Sequence, residues 1–111
     1  MGRHTAHLDK SFGALSDRTR RAVLERLGRR NASVSDLAAT FDMTVTGMAK
    51  HVRVLEKAGL VTTRKVGRVR TCRLGPRPLE DELAWIAAYR RTLEERLDHL
   101  GKFLDRTKGD E

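Results

Sequence analysis

The sequence predicts a mainly α-helical domain with one small β-hairpin, and three observations predict it. Apolar residues recur every three to four positions through most of the 111 residues. After Gly59 the period shortens to two, across Leu60–Val66 and Val69–Leu74, with Gly67-Arg68 between them as a two-residue turn. The longest helical repeat comes last: Leu79, Leu83, Ile86, Arg90, Leu93, Leu97, Leu100 and Leu104 alternate spacings of four and three.

Taken in order, residues 1–7 hold His4 and His7 but no pattern, and read as a flexible start to a domain spanning 8–104. Leu8, Phe12 and Leu15 fall at i, i+4 and i+7, a first short helix. Ser16-Asp17 is a cap signal for a second helix with Ala22, Val23 and Leu27 inside and Gly28 at its end. Arg29–Ala32 reads as a turn. Ser33-Val34-Ser35-Asp36 then resembles a capping box, with Asp in the place of Glu, opening a third helix on Val34, Leu37, Ala38 and Phe41. Asp42-Met43 is a tight link to a fourth.

That fourth helix organises the chain. Thr44 is its expected N-cap and Gly59 the left-handed residue at its end. Met48, Val52 and Leu55 form the apolar face, while Val45, Thr46, Ala49, Lys50 and Arg53 lie opposite. A helix entering the major groove needs a small, polar leading turn, a basic flank and an apolar back. An ordinary surface helix with a solvated basic face is the alternative. Two short helices joined so closely fit a helix-turn-helix.

The hairpin that follows crowds Arg64, Lys65, Arg68, Arg70 and Arg73 into fewer than 20 residues. Facing like charges cost stability on a two-stranded sheet, so a counter-anion is implied. The alternative is an exposed hairpin that uses cations to block edge aggregation. Pro78 suits a first helical turn, and Glu80-Asp81-Glu82 stand where a helix dipole favours acids. The long helix runs to about Leu104, its stripe widened by Trp85, Tyr89 and Phe103; a polar, flexible tail takes up 105–111. So long an apolar face on so small a domain implies a partner helix, most simply from a second copy; a helix packing within its own chain is the alternative. The expected interface is Leu8, Phe12, Leu79, Leu83, Ile86, Leu93, Leu97, Leu100 and Leu104.

Composition narrows the function. Net charge is +8, which suits a polyanionic partner. Residues 42–75 hold eight Lys/Arg against two Asp/Glu, whereas 76–111 hold seven against nine, so the basic patch is the middle third. No apolar run approaches membrane-spanning length and no bulky basic amphipathic segment suits a membrane surface, so no membrane partner is expected. One cysteine, Cys72, cannot form an intramolecular disulfide; beside Leu74 on a strand face it reads as a small buried hydrophobe, with a redox-sensing thiol as the alternative. No phosphate-binding loop, nucleophile elbow or framed acidic pair is present, so neither catalytic residues nor a cofactor are expected.

The predicted order, three helices, a basic helix, a hairpin and a long helix, is a winged helix-turn-helix with N- and C-terminal dimerisation helices. Lys50-His51-Val52-Arg53-Val54-Leu55-Glu56-Lys57-Ala58-Gly59-Leu60-Val61 makes the resemblance specific. It is similar to the ArsR-type (arsenic-resistance repressor) family of bacterial regulators, whose signature reads Ser-x-Ser-x-x-Ser-Gln-His-Leu-x-x-Leu-x-x-Ala-Gly-Leu-Val. Thr44 and Thr46 stand at the first two Ser positions, Ala49 at the third and Lys50 at the Gln; His51, Leu55, Ala58, Gly59, Leu60 and Val61 match outright. Leu15–Leu24 resembles the family's Leu-Ala-Asp-Pro-Thr-Arg-Arg-x-Ile-Leu opening, with Arg18 in place of Pro.

The resemblance implies a cytoplasmic bacterial repressor, nucleoid-associated when bound, that docks as a homodimer on a near-palindromic operator in double-stranded DNA. Residues expected at the DNA are Thr44, Val45, Thr46, Gly47, Lys50, His51 and Arg53 on the helix, and Arg64, Arg68 and Arg70 on the wing. For His51 a helix-packing role is the alternative. Metal-sensing relatives resemble Cys-Val-Cys-Asp-Leu where this chain has Ser33-Val34-Ser35-Asp36-Leu37, and serine is a poor ligand for soft metals, so no metal site is expected. Glu95, Asp98 and His99 on the last helix, with His4 and His7, are the thin alternative for a metal-responsive repressor. A second alternative, of another class, is an architectural DNA-binding protein with no preferred site.

Overall fold

Helix boundaries in this chain are set by short polar caps and left-handed turns. The computed structural model describes residues 3–76 and 79–109. Helix α1 covers Arg3–Leu15 and α2 covers Arg18–Leu27. Asp17 caps α2, its carboxylate accepting the Arg20 N–H at 3.0 Å. Strand β1 is Ala32–Ser33, and α3 is Val34–Thr40. Ser33 caps α3 through the Asp36 N–H at 3.0 Å. Helix α4, Val45–Lys57, starts at Thr44, whose hydroxyl accepts the Gly47 N–H at 3.0 Å. Each cap satisfies one of the donors a helix start leaves unpaired.

The ends of α3 and α4 are built alike. After α3, Asp42 takes φ 54°, and the Met43 N–H reaches back to the Ala38 carbonyl at 2.8 Å. After α4, Gly59 takes φ 77°, and the Leu60 N–H reaches the Leu55 carbonyl at 3.0 Å. Both are Schellman closures, with a left-handed residue and a six-to-one bond. Asp tolerates that conformation better than most side chains, because its short polar group bonds locally. The first closure turns α3 straight into α4, which makes the helix-turn-helix. The second delivers the chain into the sheet.

Strands β2 (Val61–Val66) and β3 (Val69–Leu74) pair antiparallel, with Val66 opposite Val69. The loop is therefore Gly67-Arg68. Gly67 has φ 62° and Arg68 no positive φ, the pattern of a Gly-first primed turn. Strand β1 adds to the other side of β3, with Ala32 opposite Cys72, for a sheet order β1-β3-β2. The turn expected at Arg29–Ala32 thus gives way to a third strand at its end. Two residues are too few to show a period, so this strand leaves no sequence signal.

The core joins these elements. Val23, Leu37, Met48, Leu55, Leu60, Val61 and Cys72 are all nearly inaccessible and pack in one cluster. Where β3 leaves the sheet, Gly75 donates its N–H to Leu60 O at 3.0 Å, and a Cβ built on it would sit 2.6 Å from the Gly59 carbonyl oxygen. Gly75→Ala is therefore expected to cost about 1–3 kcal/mol, through forced backbone movement. A thermal melt with wild-type Tm would show that the crossing yields freely.

Residues 1–79 form one unit and residues 80–111 a second. The second is α5, Glu80–Gly109, of 30 residues, or about 45 Å at 1.5 Å per residue. Three boundaries differ from expectation. Helix α1 begins at Arg3, not Leu8: residues 3–7 have no apolar period but no breaker either, and extending a nucleated helix costs little. For the same reason α5 runs through 105–109, to the next glycine. Leu79 is not in the helix: with φ 66° it precedes α5 and packs against the core of the first unit, so it leaves the stripe. Pro78 lies outside the described residues.

Candidate nucleic-acid interface

Burial of Met48, Val52 and Leu55 fixes how α4 is rotated. At 100° per residue the outward face is then Thr46, Lys50, Arg53 and Lys57, spaced four, three and four, and all four are exposed. Val45 is 52% exposed at the leading end, one turn below Ala49. Gly47 packs tightly under the cap: an added Cβ would stand 3.0 Å from Thr44 Oγ1, which would have to give by a few tenths of an ångström. Thr44, Val45, Thr46, Gly47 and Lys50 lie at the cap and in the first half of α4, and Arg53 just past its midpoint. Lys57 extends their basic row.

His51 is placed differently. It turns toward the start of α2, with Nδ1 3.8 Å from Asp17 Oδ2 and 3.4 Å from Arg20 Nη1. Arg20 is itself fixed by the end of α1, donating to the carbonyls of Ala14 at 2.7 Å and Gly13 at 3.2 Å. The Arg20 backbone N–H, with the nearby Arg20 and His51 charges, holds the Asp17 carboxyl below its ordinary value, against some desolvation. That cap's stabilisation is complete above the unfolded value of 3.8 and is lost as pH falls through the lower folded value.

On the wing, Lys65 stands directly opposite Arg70, two like charges on the sheet face shared with Val61 and Cys72. Arg64, Val66 and Arg73 point to the other face. Arg70 does not stay against Lys65: its Nη1 donates to Thr63 Oγ1 at 2.8 Å. Thr63 Oγ1 in turn donates to Glu56 Oε2 of α4 at 2.6 Å. Arg73 Nε donates to Thr62 Oγ1 at 3.1 Å. Arg64, Lys65 and Arg68 make no side-chain hydrogen bond or ion pair with the described residues and remain exposed. Between the wing and the starts of α3 and α4 lies a cleft of about 300 Å³, flanked by Ser35, Val45, Ala49, Lys65 and Arg68.

Glu56 and Thr63 were not singled out by sequence. Glu56 is one of only two acids in residues 42–75, which is the signal that marks it. Cys72 is fully buried, its thiol pushed up to about 11 by desolvation and then by the Glu56 charge, with Arg70 opposing. A thiol held that high is not a nucleophile at neutral pH, in keeping with the small-hydrophobe reading.

Ser33 spends its hydroxyl on the α3 cap. Among the described residues no three His, Cys, Asp or Glu side chains gather as a metal site, Glu95, Asp98 and His99 included. His4's side chain lies outside the described residues.

On α5, Leu83, Ile86, Leu93, Leu97, Leu100 and Leu104 are exposed, and Leu93, the least exposed, is 42% so. Trp85 and Tyr89 stack at 5.4 Å beside them. Arg90, the charged residue within the stripe, donates to Glu94 of its own helix at 3.1 Å. Of the remaining residues assigned to the interface, Leu8 is buried and Phe12 half-buried. No helix among the described residues is long and apolar enough to cross a membrane.

Comparison with known proteins agrees with this geometry. Residues 15–64 match the family described as a helix-turn-helix domain. The chain is 38% identical to the uncharacterized HTH-type transcriptional regulator YuzN of Bacillus subtilis, over 70% of this chain and 94% of that protein. It is 25% identical to the transcriptional repressor SdpR of the same organism, over 71% of this chain and 88% of that protein. Among solved structures, an ArsR family transcriptional regulator shares 44% identity at a TM-score of 0.77, covering 85% of this chain and 97% of that one. An ArsR-like transcriptional regulator from Rhodococcus sp. RHA1 shares 32% at 0.77, covering 89% and 93%. These similar proteins are regulators, not enzymes.

Proposed function

Because the chain belongs to the ArsR family of winged helix-turn-helix, DNA-binding transcriptional regulators, we propose that it is a homodimeric repressor that recognises a near-palindromic operator. The observation that carries this reading is the outward face of α4: four exposed polar or basic side chains behind a leading turn of small residues. Thr46, Lys50 and Arg53 face the base edges and adjacent phosphates of the major groove, with Val45 suited to a thymine methyl. Arg64 and Arg68 on the wing meet backbone phosphates or the neighbouring minor groove. His51, engaged by Asp17 and Arg20, orients the helix rather than touching DNA. The exposed apolar face of α5 supports pairing with a second copy. Repression is the reading that SdpR's name suggests.

Selection of bound duplexes from a random pool tests this. The expected product is a near-palindrome with half-sites about one DNA turn apart. A pool that converges on no sequence would support an architectural, non-specific binder. Against the selected site, Arg53→Ala is expected to weaken binding by about 1–3 kcal/mol at particular base pairs. Arg68→Ala should weaken all sequences alike.

No metal response is proposed. Ser33 and Ser35 replace the thiolates that soft metals need, and α5 has one histidine, His99. Zinc or cadmium at protein-stoichiometric concentration is expected to leave the operator complex intact in a mobility-shift titration. Release coupled to tight metal binding would overturn this.

A further inference from the structure

Five cations crowd the hairpin, yet they are not equivalent. Arg70 is held by Thr63, and Thr63 by Glu56, in a chain that links the second half of α4 to both wing strands. The Thr63 hydroxyl has one proton and gives it to the Glu56 carboxylate at 2.6 Å, so its oxygen faces Arg70 as a strengthened acceptor. Both bonds are charge-assisted, by an anion at one end and a cation at the other. The alternative direction for Arg70 is across the strands to Lys65, its facing like charge. Attraction toward Thr63 and repulsion from Lys65 therefore act together, and both turn the guanidinium toward the helix.

Resting on the DNA-binding reading above, we propose that Glu56 and Arg70 are positioning residues that lock the wing to the recognition helix. Arg70 is withheld from phosphate, and Arg64, Lys65 and Arg68 deliver the wing's charge. The wing's cations stand at a fixed offset from Lys50 and Arg53 only while the bridge holds. Glu56, an acid beside a basic surface that binds a polyanion, organises the cations around it.

Salt dependence distinguishes a positioning arginine from one that neutralises a phosphate, because each neutralised phosphate contributes about 0.9 to the log–log slope on duplex DNA. The probe is a fluorescein-labelled mixed-sequence duplex of about 30 base pairs, long enough for several phosphates to be neutralised. It is titrated at several salt concentrations with the full chain and its variants. Arg68→Ala is expected to flatten the slope by about 0.9 per bound copy. Arg70→Ala should leave the slope at the wild-type value while raising Kd several-fold.

Glu56→Ala should likewise raise Kd several-fold at unchanged slope, and Glu56→Gln, which keeps an acceptor for Thr63, should recover most of the affinity. Arg70 and Glu56 are both exposed, so these variants are expected to fold, and thermal melts check it. Arg70→Ala flattening the slope as Arg68→Ala does would overturn the proposal. So would tighter binding by both Glu56 variants, the mark of an acid that only repels DNA. Wild-type protein that binds no duplex at low salt would overturn the DNA-binding reading itself.

Discussion

Leu93→Asp is expected to leave a monomer that no longer holds its operator. Leu93 lies midway along the exposed stripe of α5. In a protomer alone the new carboxylate meets water and costs little. Within a helix–helix seam it would be an unpaired charge among leucines, a burial that proteins avoid by not forming the contact. Splitting the proposed dimer would remove one of its two recognition helices. Each base contact is worth roughly 1–3 kcal/mol, so losing a half-site costs at least about 3 kcal/mol, more than a hundredfold in affinity. Light scattering beside an operator titration checks both halves. A variant that stays dimeric and binds as wild type would show that Leu93 lies outside the interface.

The affinity for DNA is expected to fall about a thousandfold between 50 and 200 mM salt. The free cations Lys50, Arg53, Arg64, Lys65 and Arg68 of each copy lie on the proposed contact surface. If the dimer neutralises about six phosphates with them, the log–log slope is about −5, and a fourfold rise in salt raises Kd by about three decades. Fluorescence anisotropy across that range measures it directly. A slope near zero would mean that binding, where it occurs, does not rest on these charges.

The fold was legible where local chemistry decides it. Thr44, Ser33 and Asp17 announced their caps, Gly59 and Gly67 their left-handed turns, and the change of period at Leu60 the hairpin. Each of these signals is carried by one or two neighbouring residues acting on their own backbone. Apart from the helix ends at Arg3 and Gly109, what escaped was set by partners distant in sequence. Strand β1 exists because Ala32 and Ser33 meet Cys72 and Thr71, about forty residues on. Leu79 has the spacing of the α5 stripe but is drawn into another unit's core, and spacing cannot tell these apart.

The candidate site divides in the same way. The outward row on α4 follows from helical period alone, so Thr46, Lys50 and Arg53 were readable. His51 shares that helix, but its surroundings come from Asp17 and Arg20, more than thirty positions earlier. The bridge from Glu56 through Thr63 to Arg70 was invisible because it requires the strand register, and a slip of one residue would have turned Thr63 to the other face.

The crossing at Gly75 has a consequence for how the molecule opens. Leu60 stands in two ladders at once: its N–H is held by Leu55 at the end of α4, and its carbonyl by Gly75 as the chain leaves β3. Releasing the hairpin therefore means unpicking the last turn of α4, the helix proposed to read DNA. The two are expected to open as one cooperative block, and their amide protons should exchange with solvent together, at the rate of the whole unit's unfolding rather than of a fraying loop. Local opening is expected first at the hairpin tip, where Val66, Gly67 and Val69 are exposed.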